Sequence, residues 1–248
     1  QDKNNQRLRN AFSGIKIEYI AEFSEMVMDE IKIGSGPLSQ YLKDQPPEQI
    51  ERTIGKIILF MFAGHDTTGH TLTWLLYELC KHPQYKEKLI TEIDTYWKNN
   101  DTELYEKFNE LPFMSACIIE TLRLWPPIPN GTFRELESDE EIHGINGLVT
   151  IPKGTYCQIF NWSRQRSSEL WGDDSTEFNP ERKFTDKELW SNGFGGYNLV
   201  SERFSPFTFS PRNCIGKNFA HMEMRLILLN IFKNHDFELS QDQNKSNI

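Results

Sequence analysis

The sequence predicts a mainly α-helical fold with small β-sheets, and three observations carry that expectation. Apolar residues recur at helical spacing from about Glu48 to Lys81, through Ile50, Ile54, Ile57, Met61, Leu72, Leu75, Leu76 and Leu79. At ~1.5 Å per residue, one helix over this stretch spans roughly 50 Å. A second run with the same period, Phe219, Met222, Leu226 and Leu229, follows a loop with a single cysteine at its centre, Cys214. After Pro126 the period shortens to that of short antiparallel strands, with Asn146-Gly147 and Pro152-Lys153-Gly154 as turns.

In chain order, Ile15, Tyr19, Phe23, Met26, Val27 and Ile31 outline an amphipathic helix that the segment Gly34 to Pro37 ends. Pro46-Pro47 marks the boundary before the long helix, and His82-Pro83 its stop. Pro83 opens a further helix with the stripe Leu89, Ile93 and Tyr96, closed by Asn99-Asn100. The stretch LPFMSACIIETLRLWPP is helical and sets Glu120 and Arg123 on one face as an i,i+3 pair. On a surface such a pair is worth under ~1 kcal/mol. Here Ile118, Ile119, Leu122, Leu124 and Trp125 surround it, which predicts burial.

Composition narrows the function. The 248 residues include 38% hydrophobic and 12% aromatic side chains, enough for a substantial core. A net charge of −9 argues against nucleic acid as the main partner. Four cysteines without regular spacing suggest no disulfide framework, so a reducing compartment is the simpler assumption. No run approaches the ~18 apolar residues of a membrane-spanning helix.

The order Phe207, Arg212, Cys214, Gly216 places the cysteine at a helix N-terminus, where the helix dipole and unpaired backbone N–H groups favour an anion. One thiolate suits one side of a haem iron, whereas zinc or an iron–sulfur cluster wants several ligands, and Cys80, Cys117 and Cys157 form no CxxC pair. Pro211 stiffens the turn, Gly216 lets backbone approach a flat macrocycle, Ala220 is small enough to lie beneath it, and Arg212 offers a cation to a propionate. The plainer reading of a lone cysteine is a buried thiol before an ordinary helix. In the long helix, AGHDTTGH interrupts the apolar surface with two glycines and two threonines. That is either a packing notch at Gly64 with back-bonded threonines or a functional break. His65 and His70, five apart, do not share a helix face as an i,i+4 metal pair would.

The ten-residue frame from Phe207 to Gly216 resembles the haem-binding loop of the cytochrome P450 family, departing at Ser210, where that family usually has glycine. Ala63, Gly64, Asp66 and Thr67 match its A/G-G-x-D/E-T motif residue by residue. Glu120 and Arg123 match its E-x-x-R, and Arg182 in FNPERKF matches the arginine of its P-E-R-F segment, with Lys183 inserted before Phe184. The resemblance implies the C-terminal portion of the cytochrome P450 fold, with residues 46–82 as the oxygen-binding helix, locally distorted to make room for O₂, and 207–233 as the haem-ligand loop and following helix. It implies an incomplete domain over 1–248, with Gln1 an internal start and a last β-hairpin missing. Cys214 would be the axial ligand of a haem b, Asp66 and Thr67 a proton relay, and Phe207, Arg212, Gly216, Ala220, Ala63 and Gly64 the haem contacts. Glu120, Arg123 and Arg182 would form a structural triad. Ala63 replaces the glutamate that links some family members covalently to haem, so the haem would be non-covalent.

Phe62, Ile128 and Phe133 are substrate-pocket candidates, with Pro129 beside them; Arg134 and Arg166 either reach propionates or stabilise strands. The implied activity is insertion of one oxygen atom of O₂ into an apolar substrate. Electrons would come from an NADPH-dependent flavin reductase or a ferredoxin docking near Lys217 and Arg225. A full-length protein with an N-terminal anchor would sit on the cytosolic face of the endoplasmic reticulum. The alternatives are a non-catalytic haem-binding protein or inactive fragment, and a haem-thiolate isomerase or dehydratase, which needs no relay.

Overall fold

The computed structural model describes residues 36–42, 45–100, 110–185, 201–208 and 212–240, together with Glu25, Met26, Asp29, Lys107, Glu188 and Leu189. The sequence-predicted helix at 15–31 and the glycines at 193, 195 and 196 lie outside them, the described positions within that helix excepted. Two compact units are distinguished, residues 1–66 and 67–248. In the first, helix α1 (Pro37–Leu42) precedes the start of helix α2 (Pro47–Lys81), where Pro46 O accepts from the Gln49 and Ile50 amides. A proline just inside the start is at home because the first helical N–H groups have no intrahelical acceptor.

Helix α2 is α-helical over all 35 of its residues, through the AGHDTTGH stretch. The expected local distortion is therefore not part of this structure. No packing notch is found at Gly64 either, since a Cβ built there or on Gly69 meets nothing among the described residues within 4 Å.

The second unit holds the core. Helices α3 (Pro83–Asn99) and α4 (Pro112–Leu124) both open on proline, and α3 packs against α4 and against α7 (Lys217–Asn234). Leu89, Ile93 and Tyr96 are the buried stripe of α3, meeting Met114, Cys117 and Ile118 of α4 and Leu228 and Leu229 of α7 in one cluster. The Glu92 carboxylate of α3 accepts from the amides of Phe113 and Met114 at 2.7 and 2.8 Å, satisfying two of the orphan donors that open α4.

The strands follow α4. β1 (Thr132–Glu135) pairs antiparallel with β4 (Tyr156–Ile159), and β2 (Glu140–Gly144) with β3 (Gly147–Ile151). The β2–β3 turn is Ile145-Asn146, one residue earlier than the sequence suggests, and Gly147 enters β3 at φ 112°. Gly131, at φ 67°, precedes β1 where a Cβ would come 1.7 Å from Ile159 O, so no other residue fits. Two short helices, α5 (Asn161–Arg164) and α6 (Ser168–Trp171), lead away from β4.

Behind α4 lies a buried ion network. Arg123 grips Glu120 through Nε and Nη2, both at 2.7 Å, and donates to the carbonyls of Gln165, Ser175 and Glu177 at 2.7, 2.6 and 3.0 Å. All five of its N–H donors are used. Arg182 Nε reaches Glu120 Oε1 at 3.2 Å, and the Asn179 amide donates to the same oxygen. Phe184 packs against Trp171 and Phe204 despite the extra Lys183.

Candidate functional site

The cysteine loop is tied at both ends by backbone bonds. The Cys214 amide donates to Phe207 O at 2.9 Å and the Thr208 amide to Ser205 O at 3.0 Å, while Gly216 caps α7 and its carbonyl accepts from the Ala220 amide. The strain is at Thr208, which holds φ 60°, a genuine outlier for a β-branched residue. Its hydroxyl donates to Arg212 O at 2.9 Å, which offsets part of that cost. Ser210 and Pro211, singled out in the sequence, lie outside the described residues. Cys214 is exposed, and a Cβ at Gly216 would stand 4.0 Å from its sulfur, so glycine keeps the thiol's flank open.

Cys214 opens on a cavity of about 290 Å³ within the second unit. Thr67, Thr68 and Thr71 of α2 form one wall, Leu122 of α4 and the segment Pro127, Ile128, Gly131 and Thr132 another. Asn161, Pro206, Phe207, Thr208, Arg212 and Cys214, with Ala220 and Met224 of α7, complete it. The walls are mostly apolar, with Arg212 as a cation and five threonines, three of them on α2. Among these, Thr71 donates back to Thr67 O at 2.9 Å. The Thr68 hydroxyl is buried and has no hydrogen-bond partner among the described residues.

Helix threonines and a cysteine lining one mostly apolar cavity are an arrangement that comparison with known proteins can test. The profile of the cytochrome P450 family matches residues 38–248. The chain belongs to the cytochrome P450 family. It is 31% identical over 237 residues to cytochrome P450 CYP13A2 of Caenorhabditis elegans, covering 94% of this chain and 43% of that protein. It is 36% identical to a cytokinin hydroxylase of Arabidopsis thaliana (74% of this chain, 32% of that protein) and 36% identical to cytochrome P450 3A12 of Canis lupus familiaris (75% and 34%). The chain thus spans less than half the length of these relatives. Its helices and small antiparallel sheets are those of the cytochrome P450 fold, and the family's chemistry is haem-dependent monooxygenation, an oxidoreductase activity.

The residues present fit a haem. A soft sulfur, Cys214, is exposed at the cavity, Gly216 and Ala220 beside it are small, and Arg212 supplies positive charge. The Thr68 hydroxyl is an orphaned buried polar atom that an occupant would satisfy. Among the described residues no group of three or more His, Cys, Asp or Glu is placed to hold a bare metal ion. A single sulfur suits an iron whose other ligands come from a macrocycle.

Of the sequence-predicted residues, Thr67, Ile128, Phe207, Arg212, Cys214 and Ala220 line this one cavity, with Gly216 adjoining Cys214. Phe133 lies on β1, is 59% exposed and does not line it. Phe62, Ala63, Gly64 and Asp66 belong to the first unit, on α2; Phe62, Ala63 and Asp66 are exposed and Gly64 half-buried. Arg134 donates to Phe133 O, and Arg166 stacks its guanidinium over Trp162 and Trp125. The expectation that Arg225 serves a docking surface is overturned: it is buried and hydrogen-bonded to His221 and Ser115. Its hydrophobic neighbours at i±3 and i+4, Met222, Leu228 and Leu229, turn that face of α7 inward. Thr71, Met224 and Asn161 went unread in the sequence, and Thr68, one of the two threonines of the packing-notch reading, makes no back-bond among the described residues. For Thr71 the signal was its i+4 spacing from Thr67, which keeps the two on one helix face.

Proposed function

We propose that this chain is the oxygen-activating part of a haem-thiolate monooxygenase that inserts one oxygen atom of O₂ into an apolar organic substrate. The observation that carries the reading is that Cys214 and Thr67 open on one apolar cavity in a chain of the cytochrome P450 family. Haem, when bound, supplies the iron at which O₂ is activated. Cys214 would hold the haem iron through its thiolate, Arg212 would meet a propionate, and Phe207, Gly216, Ala220, Ala63 and Gly64 would border the macrocycle. With alanine at 63 there is no carboxylate to link to it, so haem b is held non-covalently.

Asp66 and Thr67, consecutive in sequence, form the proton relay: Asp66 is exposed and takes protons from solvent, and the Thr67 hydroxyl delivers them. Glu120, Arg123 and Arg182 hold the framework behind the loop. Ile128 contacts the substrate, with Phe62 and Phe133 as further candidates. Electrons come from an NADPH-dependent flavin reductase or a ferredoxin, and a full-length protein that carries an N-terminal anchor acts on the cytosolic face of the endoplasmic reticulum. Among the described residues no helix is long and apolar enough to cross a membrane. The relative named for hydroxylation, from Arabidopsis thaliana, fits oxygen insertion as the reaction type.

The test is the absorption spectrum of the haem-supplied chain, reduced and exposed to carbon monoxide. A strongly red-shifted Soret band, lost in a Cys214→Ala variant that still binds haem, is expected. Haem bound without that band in the parent chain overturns the thiolate assignment, and a chain that takes up no haem overturns the proposal that it holds the cofactor.

A further inference from the structure

A column of aromatic rings stands outside the cavity. Trp74 on α2 and Trp125 at the end of α4 lie face to face, with ring centroids 3.8 Å apart and planes within 2° of parallel. The other contacts of these rings are edge-on or strongly inclined: Trp74 with Tyr77 at 88°, and Trp125 with Trp162 at 63° and 5.9 Å. Aromatic pairs ordinarily avoid the face-to-face sandwich because each ring carries negative charge on its face, and centroids usually sit about 4.5–7 Å apart. Parallel rings this close bring negative face towards negative face, an electrostatic contribution that opposes the contact while both rings are neutral. Removing an electron from one ring reverses the sign, because a positive ring over the partner's negative face is attracted to it as any cation is.

The pair also has a proton acceptor. Trp125 Nε1 donates to Glu78 Oε1 at 2.8 Å, within reach for direct proton transfer. Glu78 is 6% exposed, with His82 Nδ1 3.4 Å from its other oxygen. Burial is the largest influence on its carboxyl and raises its pKa, which makes the carboxylate a better base. On the far side the Arg166 guanidinium lies 4.9 Å from the Trp125 centroid and 3.4 Å from that of Trp162. That cation opposes a second positive charge on either ring, so charge created on Trp125 is best relieved by losing the Nε1 proton.

We propose that Trp74 and Trp125, with Glu78 as proton acceptor, form a one-electron redox site. One electron leaves the Trp125 indole for a dissolved metal-complex oxidant, which is reduced by one electron. The N–H bond at Nε1 breaks, its proton moves to Glu78 Oε1, and a neutral indolyl radical remains. An electron returned from a dissolved enediol, itself oxidised by one electron, regenerates the indole as Glu78 gives the proton back. Trp162, 38% exposed, is the ring through which that reductant reaches the pair. Trp125 stands two residues before Pro127, which lines the cavity.

The experiment needs neither haem nor substrate and is independent of the function proposed above. The full chain is flash-oxidised with tris(bipyridyl)ruthenium and persulfate, and the radical is followed by transient absorption and electron paramagnetic resonance, with ascorbate added to return the electron. The parent should give a long-lived neutral indolyl radical, formed more slowly in heavy water. Trp125→Phe and Trp74→Phe should lose it, and Trp97→Phe should keep it. Glu78→Gln retains an oxygen that accepts the Nε1 bond but takes no proton, so it should give a short-lived indolyl radical cation without the isotope effect. An undiminished signal in folded Trp125→Phe, or the neutral radical formed as in the parent by Glu78→Gln, overturns the proposal. Should Trp125→Phe fail to fold, the Glu78→Gln comparison decides it alone.

Discussion

Replacing Arg123 by lysine keeps the positive charge beside Glu120 and removes the guanidinium fork. Arg123 is fully buried and spends five N–H donors on five acceptors: two oxygens of Glu120 and the carbonyls of Gln165, Ser175 and Glu177. A lysine ammonium has three donors at a single nitrogen, so at least two of the five bonds are lost. Each buried acceptor left without its partner costs about 1–3 kcal/mol, giving a loss of about 2–6 kcal/mol. A domain has about 5–15 kcal/mol in total, so the effect is large against the whole. Urea unfolding of parent and Arg123→Lys, followed by far-ultraviolet circular dichroism, should show a lower midpoint with an unchanged slope. A loss under about 1 kcal/mol would refute the argument, because it would mean that charge alone, without the fork geometry, holds α4 to the segment from Gln165 to Glu177.

Two further outcomes are expected. Thr68→Val swaps a buried hydroxyl without a described partner for a methyl of the same shape, and should leave the haem-free chain unchanged or up to about 1 kcal/mol more stable by thermal unfolding; destabilisation of that size would reveal a bonding partner. His221 concerns pH. Burial first, and the Arg225 charge second, push its pKa well below 6.5, so the folded imidazole stays neutral where the unfolded one takes up a proton. Its contribution to stability is whole above pH 6.5 and falls as pH drops below it, by at most about 1.4 kcal/mol per pH unit. Burial raises the carboxyls of Glu78 and Glu92, which act in the opposite sense, so the measurement is the difference between parent and His221→Gln. That difference should shrink between pH 6.5 and 5; a difference independent of pH would show that His221 is protonated in the fold.

Local pattern accounts for what was legible. The stripe Leu89, Ile93 and Tyr96 and the i,i+3 pair Glu120 and Arg123 are helix geometry, set by 3.6 residues per turn whatever surrounds them. The cysteine loop was legible because Phe207, Arg212, Cys214 and Gly216 lie within ten residues, and a short loop constrains its residues one against another. The inward turn of Arg225 was not legible, since a cation on an apolar helix reads as solvated until α3 and α4 are packed over it and Ser115 is found in reach. Nor was Thr68: a helical threonine ordinarily donates to the carbonyl four residues back, as Thr53, Thr71 and Thr73 do, and only the cavity distinguishes the one that does not.

The sequence by itself determined the long helices, the presence of short antiparallel strands, the family and the thiol at the start of α7, because each rests on spacing within one element or one loop. Tertiary structure alone decided that β1 pairs with β4 and which threonines of α2 line one cavity with Cys214. It alone stacked Trp74 on Trp125 and closed all five donors of Arg123 on acceptors up to 54 residues away. Those contacts join residues far apart in the chain, and their geometry is set by how side chains interlock at close-packed density, which no periodicity encodes.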